Sequence, residues 1–119
     1  MSTLFQAKHR TPGSAVIAGS FKTNNTSDPD ATLSVGDGFT VARSTTGEFD
    51  VVLDVDGAPL TAMVNMGANE DTYRVIVSSL EFEGGVATLA LKVQELQAGA
   101  WVVVDSTNNQ VNFLVIMTR

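Results

Sequence analysis

The sequence predicts an all-β domain: an antiparallel β-sandwich or jelly-roll-like fold of about eight strands, preceded by an extended N-terminal arm. Three observations point there. "GEFDVVLDVDG" (47–57) sets Phe49, Val51, Leu53 and Val55 on alternate positions, with Glu48, Asp50, Asp54 and Asp56 on most of those between. That is the pattern of a half-buried strand. The same period of two recurs to the end of the chain, and no window of helical length has apolar residues spaced by three and four. The connections between alternating segments are short and carry turn chemistry.

Each strand has its own reason. "AVIAGSF" (15–21) alternates Ala15, Ile17 and Phe21, and "GFTVARS" (38–44) puts Phe39, Val41 and Arg43 on one face. "EFDVVLD" (48–54) follows after "TTG", where Gly47 suits the positive φ of a tight hairpin. Gly57 and Pro59 in "DGAP" then stop the chain and turn it into "LTAMVNM" (60–66). "TYRVIVSSLEF" (72–82) and "VATLALKVQ" (86–94) flank "EGG", a second hairpin turn. The last two strands are "AWVVVD" (100–105) and "QVNFLVIMTR" (110–119), with "STNN" (106–109) as the turn between them.

Two regions break the order. Residues 1–13, ending in "RTPG", read as an arm outside the sandwich, which then occupies residues 14–119. "KTNNTSDPDATLSVGD" (22–37) reads as a polar loop, longer than a compact domain normally keeps without a use for it. Three late segments break the rule differently, because "TLALKV", "WVVVD" and "NFLVIM" are apolar on both faces. A sandwich gives each sheet one dry face, so such strands need cover from a loop, a third layer or another subunit. Homo-oligomeric burial is the expectation, with Trp101, Val103, Leu114 and Ile116 as interface residues.

Composition narrows the function classes. At 119 residues, with 44% hydrophobic and 17% charged residues, the chain has the balance of one folded domain. It contains no cysteine, which excludes disulfides, thiolate metal sites and thiol catalysis. "MSTLFQAKHR" lacks the basic-then-apolar order of a signal peptide, and no apolar run is long enough to cross a bilayer as a helix, so no membrane association is expected. The net charge of −6 is uneven: the chain to Ser27 carries +3 and the remainder −9. An acidic body lacks the basic face that a nucleic acid backbone requires.

Catalytic constellations are sparse. His9 is the only histidine, lies between Lys8 and Arg10 in the arm, and has no acid nearby to orient it for a Ser/His/Asp mechanism. The carboxylate pairs Asp28 and Asp30, Asp54 and Asp56, and Glu81 and Glu83 each stand two apart, which on a strand shares a face. Asp54 and Asp56 are the weak candidates for a cation. "DVDGAPL" has no later ligand series and no terminal bidentate Glu, so a solvated turn is favoured and no metal is expected. A glycosidase would need aromatic sugar platforms, and Trp101 and Tyr73 are the only non-Phe aromatics. The sequons at Asn24 and Asn25 are taken as loop composition. No enzymatic activity and no cofactor is expected.

Four segments taken together carry a resemblance: "GSF" (19–21), the "SDPD" loop (27–30), "GFTVARSTTG" (38–47) and "NQVNF" (109–113). In this order they resemble small all-β virion structural proteins of tailed bacteriophages, over most of residues 19–117. The resemblance implies a non-enzymatic decoration or cement protein on the capsid exterior, bound to the major capsid protein, stabilising the head, and assembled as a homotrimer. A fibre, tail or glycan-binding module of the virion is the alternative. Capsid contacts are expected from the arm and the loop, through Lys8, His9, Arg10, Lys22, Asn24, Asn25, Asp28 and Asp30. Arg43, on the face of Phe39 and Val41, stands at a wet strand end or pairs with an acid such as Asp50 or Glu48. A further expectation is that it orders the loop through Asp28 or Asp30.

Overall fold

The computed structural model describes residues 14–54 and 56–118. Eight strands form in chain order: β1 Ser14–Asn24, β2 Phe39–Thr45, β3 Glu48–Leu53, β4 Pro59–Met66, β5 Tyr73–Glu83, β6 Val86–Gln97, β7 Ala100–Val103 and β8 Thr107–Thr118. Every pairing is antiparallel. One sheet has the order β1-β8-β4; the other has β2-β3-β6-β5, with β7 extending it beside the end of β6. The result is the predicted all-β sandwich.

Alternation decides which side chains meet between the sheets. The three-stranded sheet contributes Ile17, Phe21, Met66, Val111, Phe113, Val115 and Met117. Opposite them lie Phe49, Val51, Leu53, Val75, Ala87, Leu89, Leu91 and Val93. Two aromatic pairs tie the layers: Phe21 meets Phe49 at 5.3 Å between ring centroids, and Phe39 meets Phe113 edge-on at 4.7 Å and 87°. Both distances lie in the range where tilted or edge-to-face rings attract beyond their buried area.

The doubly apolar strands acquire a physical explanation from the strand order. β6 and β8 are interior strands, so neighbours on both sides shield their outward side chains. Thr88, Ala90, Leu114 and Ile116 are accordingly half-buried. β7 is instead a four-residue strand on the extension beside β6.

Turn geometry follows composition. Gly84 and Gly85 both take positive φ, 60° and 80°, in the two-residue turn between Glu83 and Val86. The turn between Gln97 and Ala100 has the same form but places Ala98 at φ 50° before Gly99 at 82°. A left-handed alanine costs about 1–2 kcal/mol. Replacing it with glycine returns about 0.4–1 kcal/mol of that through the freer unfolded chain. Relief of strain wins, so Ala98→Gly is expected to raise the melting temperature by about 2–4 °C in a thermal scan. An unchanged or lower value would contradict the strained turn.

Several boundaries differ from the sequence reading: β6 runs on to Gln97 and β7 stops at Val103, and two further shifts bear on the loop. β1 continues to Asn24, with Lys22 in register against Gln110, because Thr23 is buried and hydrogen-bonded. Lys22 therefore belongs to a strand and not to the loop. Likewise "STNN" is not wholly a turn: Thr107–Asn109 already belong to β8, and the chain reverses at residues 104–106.

Candidate functional site

Residues 25–38 connect the two sheets and fold into a braced loop. Its first turn is held by Asn25 N–H donating to the Ser106 carbonyl at 2.7 Å, with Asn25 itself at φ 51°. Asp28 Oδ1 then accepts the Arg43 backbone N–H at 2.9 Å, which pins the loop to the edge strand β2. Pro29 is buried behind it. Asp30 caps a single 3-10 turn, Ala31–Leu33, by accepting from both the backbone N–H and the hydroxyl of Thr32 at 2.9 Å. The backbone bond, and secondarily the hydroxyl, lowers the Asp30 carboxyl below its ordinary value.

The far end of the loop closes on β1. Ser20 and Val35 exchange both backbone hydrogen bonds at 2.9 Å. A Cβ at Gly19 would stand 2.4 Å from the Phe39 ring and 2.9 Å from the Val35 carbonyl, so only glycine lets the ring cross the strand there. A shallow groove of about 240 Å³ remains between the loop and β2, lined by Pro29, Ala31, Ser34, Gly36, Phe39, Thr40 and Val41. Leu33 and Val35 face solvent, 45% and 65% exposed.

Arg43 holds the other side of this region. Its Nε and NH2 donate to Asp105 Oδ1 and Oδ2, each at 2.9 Å, and the Gly47 N–H donates to Oδ1 at 3.0 Å. The acid partner is thus Asp105 and not Asp50 or Glu48. Those two acids flank Phe49, which faces the core, and so lie on the opposite face of β3, across the sheet from the Arg43 side chain. The Arg43 hydrogen bonds lower the Asp105 carboxyl below its ordinary value despite its partial burial, with the Gly47 N–H adding to the effect. The same pairing raises the Arg43 guanidinium further. Gly47 is buried at φ 63°, where a Cβ would meet the Val104 carbonyl at 2.5 Å.

A buried polar knot completes the brace. Thr23 Oγ1 lies 3.0 Å from Ser106 Oγ and accepts the Asn109 N–H at 3.1 Å, while Asn69 Nδ2 donates to Asn109 Oδ1 at 3.1 Å. Each contact satisfies a polar atom that burial would otherwise penalise. Tyr73 lies beside it; burial, then Glu95, raises its phenol above the ordinary value.

Of the anticipated contact residues, Asn24, Asn25, Asp28 and Asp30 are brought together in this loop and at its root, all exposed. Lys8, His9 and Arg10 lie outside the described residues. Trp101 and Val103 sit on β7, and Arg74 covers the indole at 4.6 Å from its centroid. Leu114 and Ile116 lie on β8 and face out of the other sheet, so the two pairs form no common patch. Asp54 and Asp56 are exposed at the end of β3, and among the described residues no three His, Cys, Asp or Glu side chains gather as a metal site.

Sequence reasoning missed Asp105, Ser106 and Thr23. The only signal was an Asp leaving an apolar run in "VVVDST". No protein-family model matches the chain, and comparison with curated proteins and with solved structures finds no significant match.

Proposed function

We propose that this chain is a virion structural protein of the decoration or cement type, which seats on the outer surface of a phage capsid and stabilises the shell. The observation that carries the reading is the braced loop. Residues 25–38 are bonded to β1, β2 and the segment before β8, yet Leu33 and Val35 are left in solvent. A contact surface ordered beforehand loses little entropy on docking. The segments that resemble virion proteins are also the ones that build it: Gly19 admits Phe39, Phe39 meets Phe113, and Asp28 bonds to Arg43. The loop offers hydrogen bonding, the carboxylates of Asp28, Asp30 and Asp37, and apolar contact, which suits adhesion. Repetition over a lattice would raise the effect of a modest single contact.

The test mixes purified protein with undecorated shells of the major capsid protein encoded in the same genome. Wild-type protein is expected to co-sediment and raise the shell's melting temperature. Asp28→Ala, which frees the loop from β2, is expected to weaken binding about tenfold, the equivalent of one hydrogen bond of about 1.4 kcal/mol. Shells that ignore the wild-type protein at saturating concentration would overturn the proposal and direct attention to a fibre or glycan-binding role.

A further inference from the structure

The outer faces of the two sheets differ sharply in charge. The five-stranded sheet turns Glu48, Asp50, Arg74, Glu81 and Lys92 outward. On the outer face of β1-β8-β4 the register instead aligns Val16 with Ile116, Ala18 with Leu114, and Ser20 with Asn112. On the other side of β8, Thr61, Met63 and Asn65 stand opposite Ile116, Leu114 and Asn112. Among the described residues this face holds no acid, and Lys22 at its end is its only charge. Met63 and Val16 are 66% and 44% exposed, so the apolar half is open to solvent.

We propose that this face packs against the same face of a second copy of the chain, related by a two-fold axis. Charge selects the occupant. Two chains of net charge −6 repel one another, and through the described residues of this face they can meet without setting acid against acid. The polar half is self-complementary too. Gln110 Nε2 donates to Asn112 Oδ1 at 3.0 Å, and Asn112 Nδ2 donates to Asn65 Oδ1 at 2.9 Å. Amides carry donors and acceptors together, so a row of them can bond to its own copy across a symmetry axis.

The size of the face sets the strength. Nine residues of β1 in register with β8 extend for about 30 Å, and three strands span about 14 Å, or about 400 Å² per copy in plan. That is at the small end for a specific contact, so the pairing is expected to be concentration-dependent and in the micromolar range or weaker. It does not rest on the virion reading, and either can fail alone.

Sedimentation velocity of the full chain over a dilution series is the test, with Met63→Glu and Val16→Glu as variants. The wild type is expected to move from the mass of two chains to that of one on dilution. Each variant sets like charges against each other across the axis and is expected to weaken association at least tenfold while leaving the melting temperature within about 2 °C, since both sites are exposed. A wild type that stays monomeric to millimolar concentration would overturn the proposal, as would a mass of three chains, or a dimer indifferent to both variants.

Discussion

Phe49→Ala is expected to lower the unfolding free energy by about 3–5 kcal/mol, read as a shift of the urea midpoint. Phe49 is 1% exposed and meets Phe21 across the interior, so truncation removes a contact that joins the two sheets and leaves a void that neither can close. Against a typical total of about 5–15 kcal/mol, this single change brings the protein near the limit of folding. Phe49→Leu refills most of the space and is expected to recover more than half of the loss. If alanine cost less than about 1 kcal/mol, the sheets would not be held by this aromatic contact.

Asp105→Ala is the second large effect, about 2 kcal/mol, because it strands Arg43 and the Gly47 N–H together. The figure is kept below that for a fully buried pair since both side chains retain some solvent contact, 20% and 14%. The effect also has a pH signature. The folded-state carboxyl of Asp105 lies below its ordinary value, so the unfolded chain binds the proton more readily. Its contribution is present above the ordinary carboxylate pKa of about 3.9 and is lost as pH falls through the lower folded value. Wild-type stability should therefore decline from about pH 5 downward. The variant should decline less steeply there, keeping the part that Asp30 supplies. Parallel curves for the two proteins would show that Asp105 carries none of the acid sensitivity.

Why the strands were legible, and the brace was not, comes down to the range of the interactions. Strands and their turns advertise themselves locally: Phe49, Val51 and Leu53 recur at every second position of β3, and Gly84-Gly85 supplies the two positive φ angles of the turn from β5 to β6. The partner of Arg43 depends on where β7 ends, a consequence of its pairing with β6 beyond the reach of β3. Asp105 is 62 residues from Arg43 in sequence, whereas local pattern points only to acids nearer in the chain, Glu48 and Asp50. Arg43 and Asp28 are connected, as the sequence suggests, but the bond runs from the Arg43 backbone and leaves its guanidinium for Asp105. The apolar outward residues of β8 were visible in the sequence; that they share an acid-free face with Val16 and Met63 required the register.

The claim that the braced loop is the surface turned toward a capsid is tested most directly by electron cryo-microscopy of shells incubated with the protein. The expected map has one sandwich at each repeated lattice position, with residues 25–38 toward the shell and Leu33 and Val35 in the contact. Bare shells, or bound sandwiches with that loop facing solvent, would contradict it.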